Sequence, residues 1–548
     1  MIPGWIRHYR GAWLRPDVIA GVVIWSVVVP QAVAYAQIAG LPPEAGLMAA
    51  PGAMAAYALL GTSRTLVVSA TTATSAVSAS AVGPLAHGDA ARFAALSAAL
   101  ALVAGVVLIA AGALRLGALS DFVSKPVMTG FLFGLGLTIM IGQAPSLLGV
   151  DGSSGKFFNQ LNDLIGDLGD VHLATLAVGA GSIAVLVIGR RRWPGFPATL
   201  LLLVVAIAVS AIFNLSAHGV DVVGHIPSAG PDISVPDIRS GDIAGLIGAG
   251  FGILIMTTEA VGVARALATQ DGYQIEPNRD LMALGVANLA AGFSHGFVQS
   301  GGASQTAAAQ RAGGKSQLAS FLAAVLILLT GLFLSDLFKD LPQATLAAIV
   351  VVAVSTFLNV ADLRRFAAIR TSAIVFASIA LAGVLVLGVL AGLILAAVLS
   401  LVYVIRRFSR PSVGVFARDP VAREWGRLDR HPTWETVPNV LVAGSDGPLL
   451  YANAVYVRER IVGLVHDADP RPQVVVVDLG TTTDLDVETL DDFGDLATSL
   501  KAEGIELRFG GVHARPAELL RRSGLAGRVR AEPTIDAAVG GASFTQTG

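Results

Sequence analysis

Several residues that could do chemistry stand where the surrounding sequence is apolar. Glu259 lies in FGILIMTTEAVGVARA, with Thr257 and Thr258 beside it. A carboxylate at the centre of a membrane-type helix costs roughly 2.5–3.5 kcal/mol on insertion scales. It is either a proton or cation site, with Thr258 as its neighbour, or a structural group held by hydroxyls or a distant arginine. Gln31 and Tyr35, in PQAVAYAQIAG, are one helical turn apart on one face and suit a pocket wall. SATTATS (69–75) and SQT (304–306) each precede a short run of small residues. If each opens a half-helix, its free N–H groups and dipole present roughly half a positive charge. Two such ends facing each other would hold an anion without a buried lysine or arginine. The same hydroxyls would also serve tight helix packing. Gly301, Gly302 and Ala303 favour close backbone approach to a ligand. The candidate binding residues are therefore Gln31, Tyr35, Ser69, Thr71, Thr72, Ser304, Gln305 and Thr306, with Glu259 and Thr258 for cation coupling.

Long apolar segments must position these groups. Charged residues make up 14% of the 548 and hydrophobic ones 54%, against about 25% charged in soluble domains. That balance excludes an ordinary soluble enzyme and implies a polytopic membrane protein. A net charge of −2 argues against nucleic-acid partners, and zero cysteines exclude disulfides and thiolate chemistry. The nine histidines show no metal-ligand spacing. GGASQTAAAQRAGG lacks the lysine and preceding strand of a phosphate loop, so no cofactor is expected. The basic start leads straight into the polar motif and is read as a retained first span, not a cleaved signal.

Spans are expected at 17–37, 43–60, 93–114, 121–145, 172–189, 196–213, 243–267, 316–334, 342–359, 371–388 and 389–405. Half-helices or re-entrant elements are expected at 70–86, 279–293 and 304–312. The fourteen segments divide into seven and seven, and DVIAG at 17–21 is echoed by DIAG at 242–245. Paired broken segments in corresponding places of two halves point to a transporter site. With the N-terminus inside, external loops hold only Arg92, Lys156, Arg239 and Lys339, and every other basic residue before Pro411 falls inside. Asp280 reads as a cap or ion-pair partner at the inner end of its segment. Residues 1–411 form the membrane domain. Residues 412–530 alternate strands (440–443, 473–479, 505–509) with amphipathic helices (453–466, 487–502), a small α/β domain. Residues 531–548 read as a flexible tail. Asp484, Asp486 and Glu488 suit capping of the 487–502 helix.

PQAVAYAQIAGLPPEAGL, GTSR, the glutamate followed by ARALA, DGYQIEPNRDLMALGVANLAAG and LPQATLAAIV together resemble the sulfate permease family of anion transporters. VLVAGSDGPLLYANAVYVRERI resembles the opening of the cytoplasmic STAS domain that many of them carry. The resemblance implies a 7+7 inverted repeat with core and gate domains, elevator-like secondary transport, and homodimers. It places Gln31, Tyr35, Thr71, Ser304 and Thr306 at the pocket and Glu259 at an acidic position linked to cation coupling. Three departures stand out. Gln305 replaces the family's common arginine, Ser69-Ala70 replaces a Gly-Pro, and the serine phosphorylated in related soluble proteins falls on Val487 or Glu488.

The expected function is symport of a small anion, sulfate first, with a proton across the plasma (inner) membrane, both termini cytoplasmic. Bicarbonate, chloride, nitrate or dicarboxylates, sodium coupling and anion exchange stay open. Rival classes are a proton-coupled nucleobase carrier and a STAS-based membrane sensor. No enzymatic activity is expected.

Overall fold

A helix of nine residues rises about 14 Å and one of fifteen about 22 Å, short of a hydrocarbon core of roughly 30 Å. Two helices of this chain have those lengths, Ala303–Arg311 and Thr72–Ala86. Neither can cross alone, so each must end against protein within the membrane. The computed structural model describes all residues except 1–3, 8, 118–123, 153–154, 193–197, 226–233, 541–544 and 547–548. Within it the chain divides into two compact units, Met1–Leu401 and Val402–Gly548. This division falls N-terminal to the boundary expected at Pro411, inside the last membrane helix.

Among the described residues the chain forms fourteen membrane segments, the last of them running on past Leu401. They are α1 (Leu14–Ile38), α2 (Pro43–Leu60), α3 (Thr72–Ala86), α4 (Ala90–Ala113), α5 (Lys125–Leu148), α6 (Leu173–Arg192) and α7 (Ala198–Phe213). The second half repeats the series as α8 (Ile243–Gln270), α9 (Pro277–Phe293), α10 (Ala303–Arg311), α11 (Leu318–Phe333), α12 (Gln343–Val354), α13 (Thr371–Leu387) and α14 (Val389–Ser409). The expected spans 121–145 and 196–213 begin outside the described residues, and their remainders form α5 and α7. Among the described residues, α1, α4, α5, α8, α12 with its continuation to Ile369, and α14 are long and apolar enough to cross a bilayer. Pro30 lies inside α1 without ending it.

The packing repeats between halves. α1 packs on α11 as α8 packs on α4, α1 on α10 as α8 on α3, and α5 on α13 as α12 on α6. Segments α1–α4 and α8–α11 thus form one core, and α5–α7 with α12–α14 form the gate. Close approach needs glycine: a Cβ on Gly105 would lie 2.8 Å from Gly285 O, and one on Gly285 2.7 Å from Gly105 O, where α4 crosses α9. The short sequence echo has a structural counterpart. Asp17, opening α1, accepts the N–H groups of Lys315 (2.7 Å) and Ser316 (3.1 Å) and the Ser316 hydroxyl (2.6 Å), just ahead of α11. Asp242, ahead of α8, pairs with Arg92 near the start of α4 at 2.9 Å. Asp280 is fully buried and joins α9 to the end of α2, accepting from Tyr57 Oη (2.9 Å), Thr62 N (2.7 Å) and Thr62 Oγ1 (2.8 Å).

In the membrane unit two short strands, β1 (Val68–Ser69) and β2 (Ser300–Gly301), precede α3 and α10. The second unit is built on β3 (Val413–Arg418), β4 (Trp425–Arg427), β5 (Glu435–Thr436), β6 (Val440–Ser445), β7 (Val474–Asp478), β8 (Glu506–Gly510), β9 (Arg530–Ala531) and β10 (Thr545–Gln546). β6, β7, β8 and β9 run parallel, and β3 pairs antiparallel with β6. Val475 and Val477 face the helices α15 (Tyr451–His466) and α16 (Val487–Ala502). Val476 points the other way, against Ala538 and Val539 of a short helix, Ile535–Val539. The expectation of a flexible tail from 531 is therefore corrected as far as 540: a buried strand has two faces, and this helix covers the second. Residues 541–544, 547 and 548 lie outside the described residues.

Asp486 caps α16, accepting Thr489 N–H at 2.8 Å, and also accepts Tyr451 N–H at the start of α15 at 2.7 Å. Burial works against the ionised carboxyl, but the hydrogen bonds from Thr489 and Tyr451 outweigh it and hold its pKa below the usual carboxylate range. Because the folded pKa is depressed, this stabilisation is present above the unfolded value of about 3.9 and is lost as pH falls through the folded value. Asp486→Ala in the full-length protein should accelerate amide exchange in 487–502 about fivefold at neutral pH, the equivalent of ~1 kcal/mol. The difference from wild type should shrink in acid, and an unchanged exchange pattern would show that the cap contributes nothing.

Candidate anion-binding site

Hydrocarbon supplies no water, so the backbone on either side of a broken helix must find partners in protein. Here the two interruptions satisfy each other. β1 and β2 pair antiparallel, Val68 opposite Gly301 and Ser69 opposite Ser300. The Gly302 N–H donates to Val67 O at 3.0 Å, and the Val67 N–H donates to Thr306 Oγ1 at 3.0 Å. A side-chain amide clamps the extended stretch leading to each strand. Gln317 Nε2 donates to Ser63 O and Leu66 O, both at 2.9 Å. Asn288 donates to Gln299 O and accepts its N–H, both at 2.9 Å.

The pairing brings the N-terminus of α3 to that of α10. Thr71 caps α3, its Oγ1 accepting from Thr74 N–H at 3.3 Å and lying 2.9 Å from Thr74 Oγ1. Gly302 caps α10 with no side-chain bond. The helical ladders begin with the N–H groups of Ser75 and Thr306. Those of Thr72, Ala73, Ala303 and Ser304 lie ahead of it and belong to residues on the wall of one cavity of about 160 Å³. Gln31 and Tyr35 of α1 and Met256, Glu259, Ala260 and Val263 of α8 continue that wall, and Ala353, Thr356 and Phe357 close it from the gate side. Gln31 is 7% exposed, and its Oε1 has no partner among the described residues, so it offers an unused acceptor to the cavity. Gln305 crosses between the half-helices, its Nε2 donating to Ala70 O at 3.4 Å and its Oε1 accepting from Ser304 Oγ at 3.3 Å. A Cβ at position 302 would overlap that amide, which accounts for the glycine there.

Glu259 is the one charged side chain on the wall among the described residues, and it is exposed. Of the candidates named from sequence, Gln31, Tyr35, Thr71, Thr72, Ser304, Gln305 and Glu259 converge on this cavity. Three do not, because backbone groups claim their hydroxyls. Ser69 Oγ turns to Ala70 O at 3.4 Å, Thr306 Oγ1 donates to Gly302 O at 2.6 Å, and Thr258 Oγ1 donates to Ile255 O at 2.6 Å. Sequence reasoning missed Met256 and Val263, which helical periodicity about Glu259 would have found. It also missed Ala353, Thr356 and Phe357, where α12 runs into a 3₁₀ turn, a tertiary neighbour with no local signal.

Comparison with known proteins agrees with this architecture. The family described as "Sulfate permease family" matches residues 14–380, and "STAS domain" matches 431–538. A Mycobacterium tuberculosis (H37Rv) protein named probable sulfate transporter is 35% identical over 525 residues, covering 95% of this chain and 94% of its own. Sulfate transporter 1.2 of Arabidopsis thaliana is 28% identical over 552 residues, covering 92% of this chain and 81% of its own. Among solved structures, the murine Solute Carrier 26 family member A9 anion transporter in the inward-facing state aligns with TM-score 0.89 at 21% identity, over 98% of this chain and 92% of that one. The transmembrane domain of a cyanobacterium bicarbonate transporter aligns with TM-score 0.62 at 22% identity, over 71% of this chain and 98% of that one. At those identities the two structures establish the fold.

The geometry separates wall from scaffold. Thr306→Val leaves the Val67 N–H without its acceptor, a loss of about 1–3 kcal/mol. It should lower the melting temperature while anion affinity, measured well below that temperature, stays near wild type. Reduced affinity with an unchanged melting temperature would return Thr306 to the wall.

Proposed function

The chain belongs to the sulfate permease family, and we propose that it carries a small inorganic anion of the sulfate type into the cell by secondary-active, proton-coupled symport. The observation that carries this reading is the meeting of two half-helix N-termini around a small cavity with no cationic side chain among the described residues of its wall. The cavity lies below the ~300–1,000 Å³ range of sites for drug-sized ligands and suits an ion of a few heavy atoms. The relatives named sulfate transporters favour sulfate within the class.

The proposed motion is an elevator. Most of the wall belongs to core segments α1, α3, α8 and α10, and the gate offers only Ala353, Thr356 and Phe357. The core can therefore carry its ion past the gate without dismantling the site. The distribution of basic residues favours cytoplasmic termini in a plasma membrane, and a STAS unit that follows the last span in sequence after a short linker favours a homodimer.

Coupling follows from charge. The two half-helix ends together offer roughly one positive unit, and Gln305 adds none. An ionised Glu259 about 8 Å from a monoanion would repel it by about 2 kcal/mol at an effective dielectric of about 20, and a dianion by twice that. Protonation of Glu259 removes the repulsion, so anion and proton move together. Thr258 is assigned no part in holding the cation, since its hydroxyl is bound to its own helix.

Uptake into proteoliposomes should be tested with labelled sulfate, bicarbonate, chloride, nitrate, a dicarboxylate and uracil. Sulfate accumulation should follow an inward proton gradient and not a sodium gradient. Glu259→Gln should abolish gradient-driven accumulation while leaving sulfate binding intact or tighter. Gln305→Arg should tighten binding and flatten its pH dependence. Concentrative uptake by Glu259→Gln would make that residue structural, and uptake of uracil alone would move the protein to the nucleobase class.

A further inference from the structure

Two of the stretches that carry the family resemblance, 61–64 and 271–280, contribute nothing to the anion cavity and meet each other instead. Thr62 donates its N–H and hydroxyl to Asp280, and its Oγ1 accepts Glu276 N–H at 2.9 Å. Arg64 donates its N–H to Tyr273 Oη at 3.0 Å and lays its guanidinium over that ring, 4.6 Å from the centroid. The result is a preformed cavity of about 260 Å³ at the ends of core helices, completed by Trp5, Trp13, Arg279 and Lys315.

Three cationic side chains, Arg64, Arg279 and Lys315, line it together with one carboxylate, Glu276, 3.9 Å from Arg279. Asp280 and Asp17 lie behind the wall with their oxygens already engaged, by Thr62 and Tyr57 in one case and by the Lys315 and Ser316 N–H groups and the Ser316 hydroxyl in the other. Arg64 and Lys315 form no ion pair with a carboxylate among the described residues, and Lys315 is fixed only through its backbone N–H. The surroundings are those of a membrane interface. Trp5, Tyr9 and Trp13 stack edge to face with centroids 6.3 and 6.0 Å apart, and Trp5 Nε1 is pinned to Ala58 O at 2.7 Å. Exposed Leu14 follows Trp13, and exposed Leu59 and Leu60 precede Gly61.

We propose that this cavity binds the phosphate of an anionic phospholipid headgroup, with the acyl chains lying along the apolar flank beside Leu14, Leu59 and Leu60. Three cations suit a phosphate diester with no positive charge of its own, whereas a choline headgroup would bring a cation to a cationic wall. The aromatic belt and exposed leucines favour the lipid over a free oxyanion of the same chemistry. The site is independent of the transport cavity and of which anion is carried.

The test uses full-length protein in detergent, with melting followed during titration by short-chain phosphatidylglycerol, short-chain phosphatidylcholine or inorganic phosphate. Phosphatidylglycerol should raise the melting temperature saturably, and phosphatidylcholine should not. The Arg64→Ala/Lys315→Ala double variant should raise the half-saturating concentration roughly tenfold or more, as expected for two interfacial cations. Lys315→Ala alone, which removes an unpaired ammonium, should raise it a few-fold and keeps the test open if the double variant misfolds. Absence of a phosphatidylglycerol effect, or an effect undiminished in both variants, overturns the site. An equal shift with inorganic phosphate that vanishes in the double variant overturns the lipid assignment in favour of a free oxyanion.

Discussion

The antiparallel contact between Val68–Ser69 and Ser300–Gly301 is the constraint on which the rest of the membrane unit depends. Two helices stop within a low-dielectric interior, and each loose backbone end would cost several kcal/mol if left unpaired. Pairing the two ends satisfies both at once, and it brings the first turns of α3 and α10 together on the wall of one cavity. The side-chain amides of Gln317 and Asn288, the Thr306 hydroxyl and the missing Cβ of Gly302 serve to keep that contact in place.

Around this centre the halves exchange equivalent ties. Asp17 at the start of α1 holds the chain entering α11, and Asp242 at the start of α8 holds Arg92 near the start of α4. If α1 corresponds to α8 and α4 to α11, these are the same connection made twice in opposite directions. The chemistry differs, with backbone and hydroxyl donors in one case and a guanidinium in the other, so the constraint lies on the position of the carboxylate. Both ties join core segment to core segment.

The electrostatics of the cavity are spare. Partial charges from backbone dipoles face a single carboxylate, with neutral amides and hydroxyls between them. Under the proposed coupling, the net charge of such a site is set by the protonation of one residue, which would link anion occupancy to the state of Glu259. An arginine at 305 would loosen this linkage by supplying charge permanently. Gln305 instead fastens the two half-helices to each other through Ala70.

Sequence alone determined the segment count, the two short interruptions, the α/β character of the second unit and many of the residue types around the cavity. These follow from local rules: hydropathy and length fix spans, and a polar side chain in an apolar run has few places to go. The Gln31 and Tyr35 spacing and the isolated Glu259 were legible for that reason. Tertiary structure decided which hydroxyls are available. Ser69, Thr258 and Thr306 are indistinguishable in sequence from Thr71, Thr72 and Ser304, yet a neighbouring carbonyl takes each of the first three. It also decided that Ala353, Thr356 and Phe357 close the cavity, and that residues 535–539 fold to cover the second face of β7. A hydroxyl's partner and a strand's far face are set by chain that lies distant in sequence, and no local pattern encodes that distance.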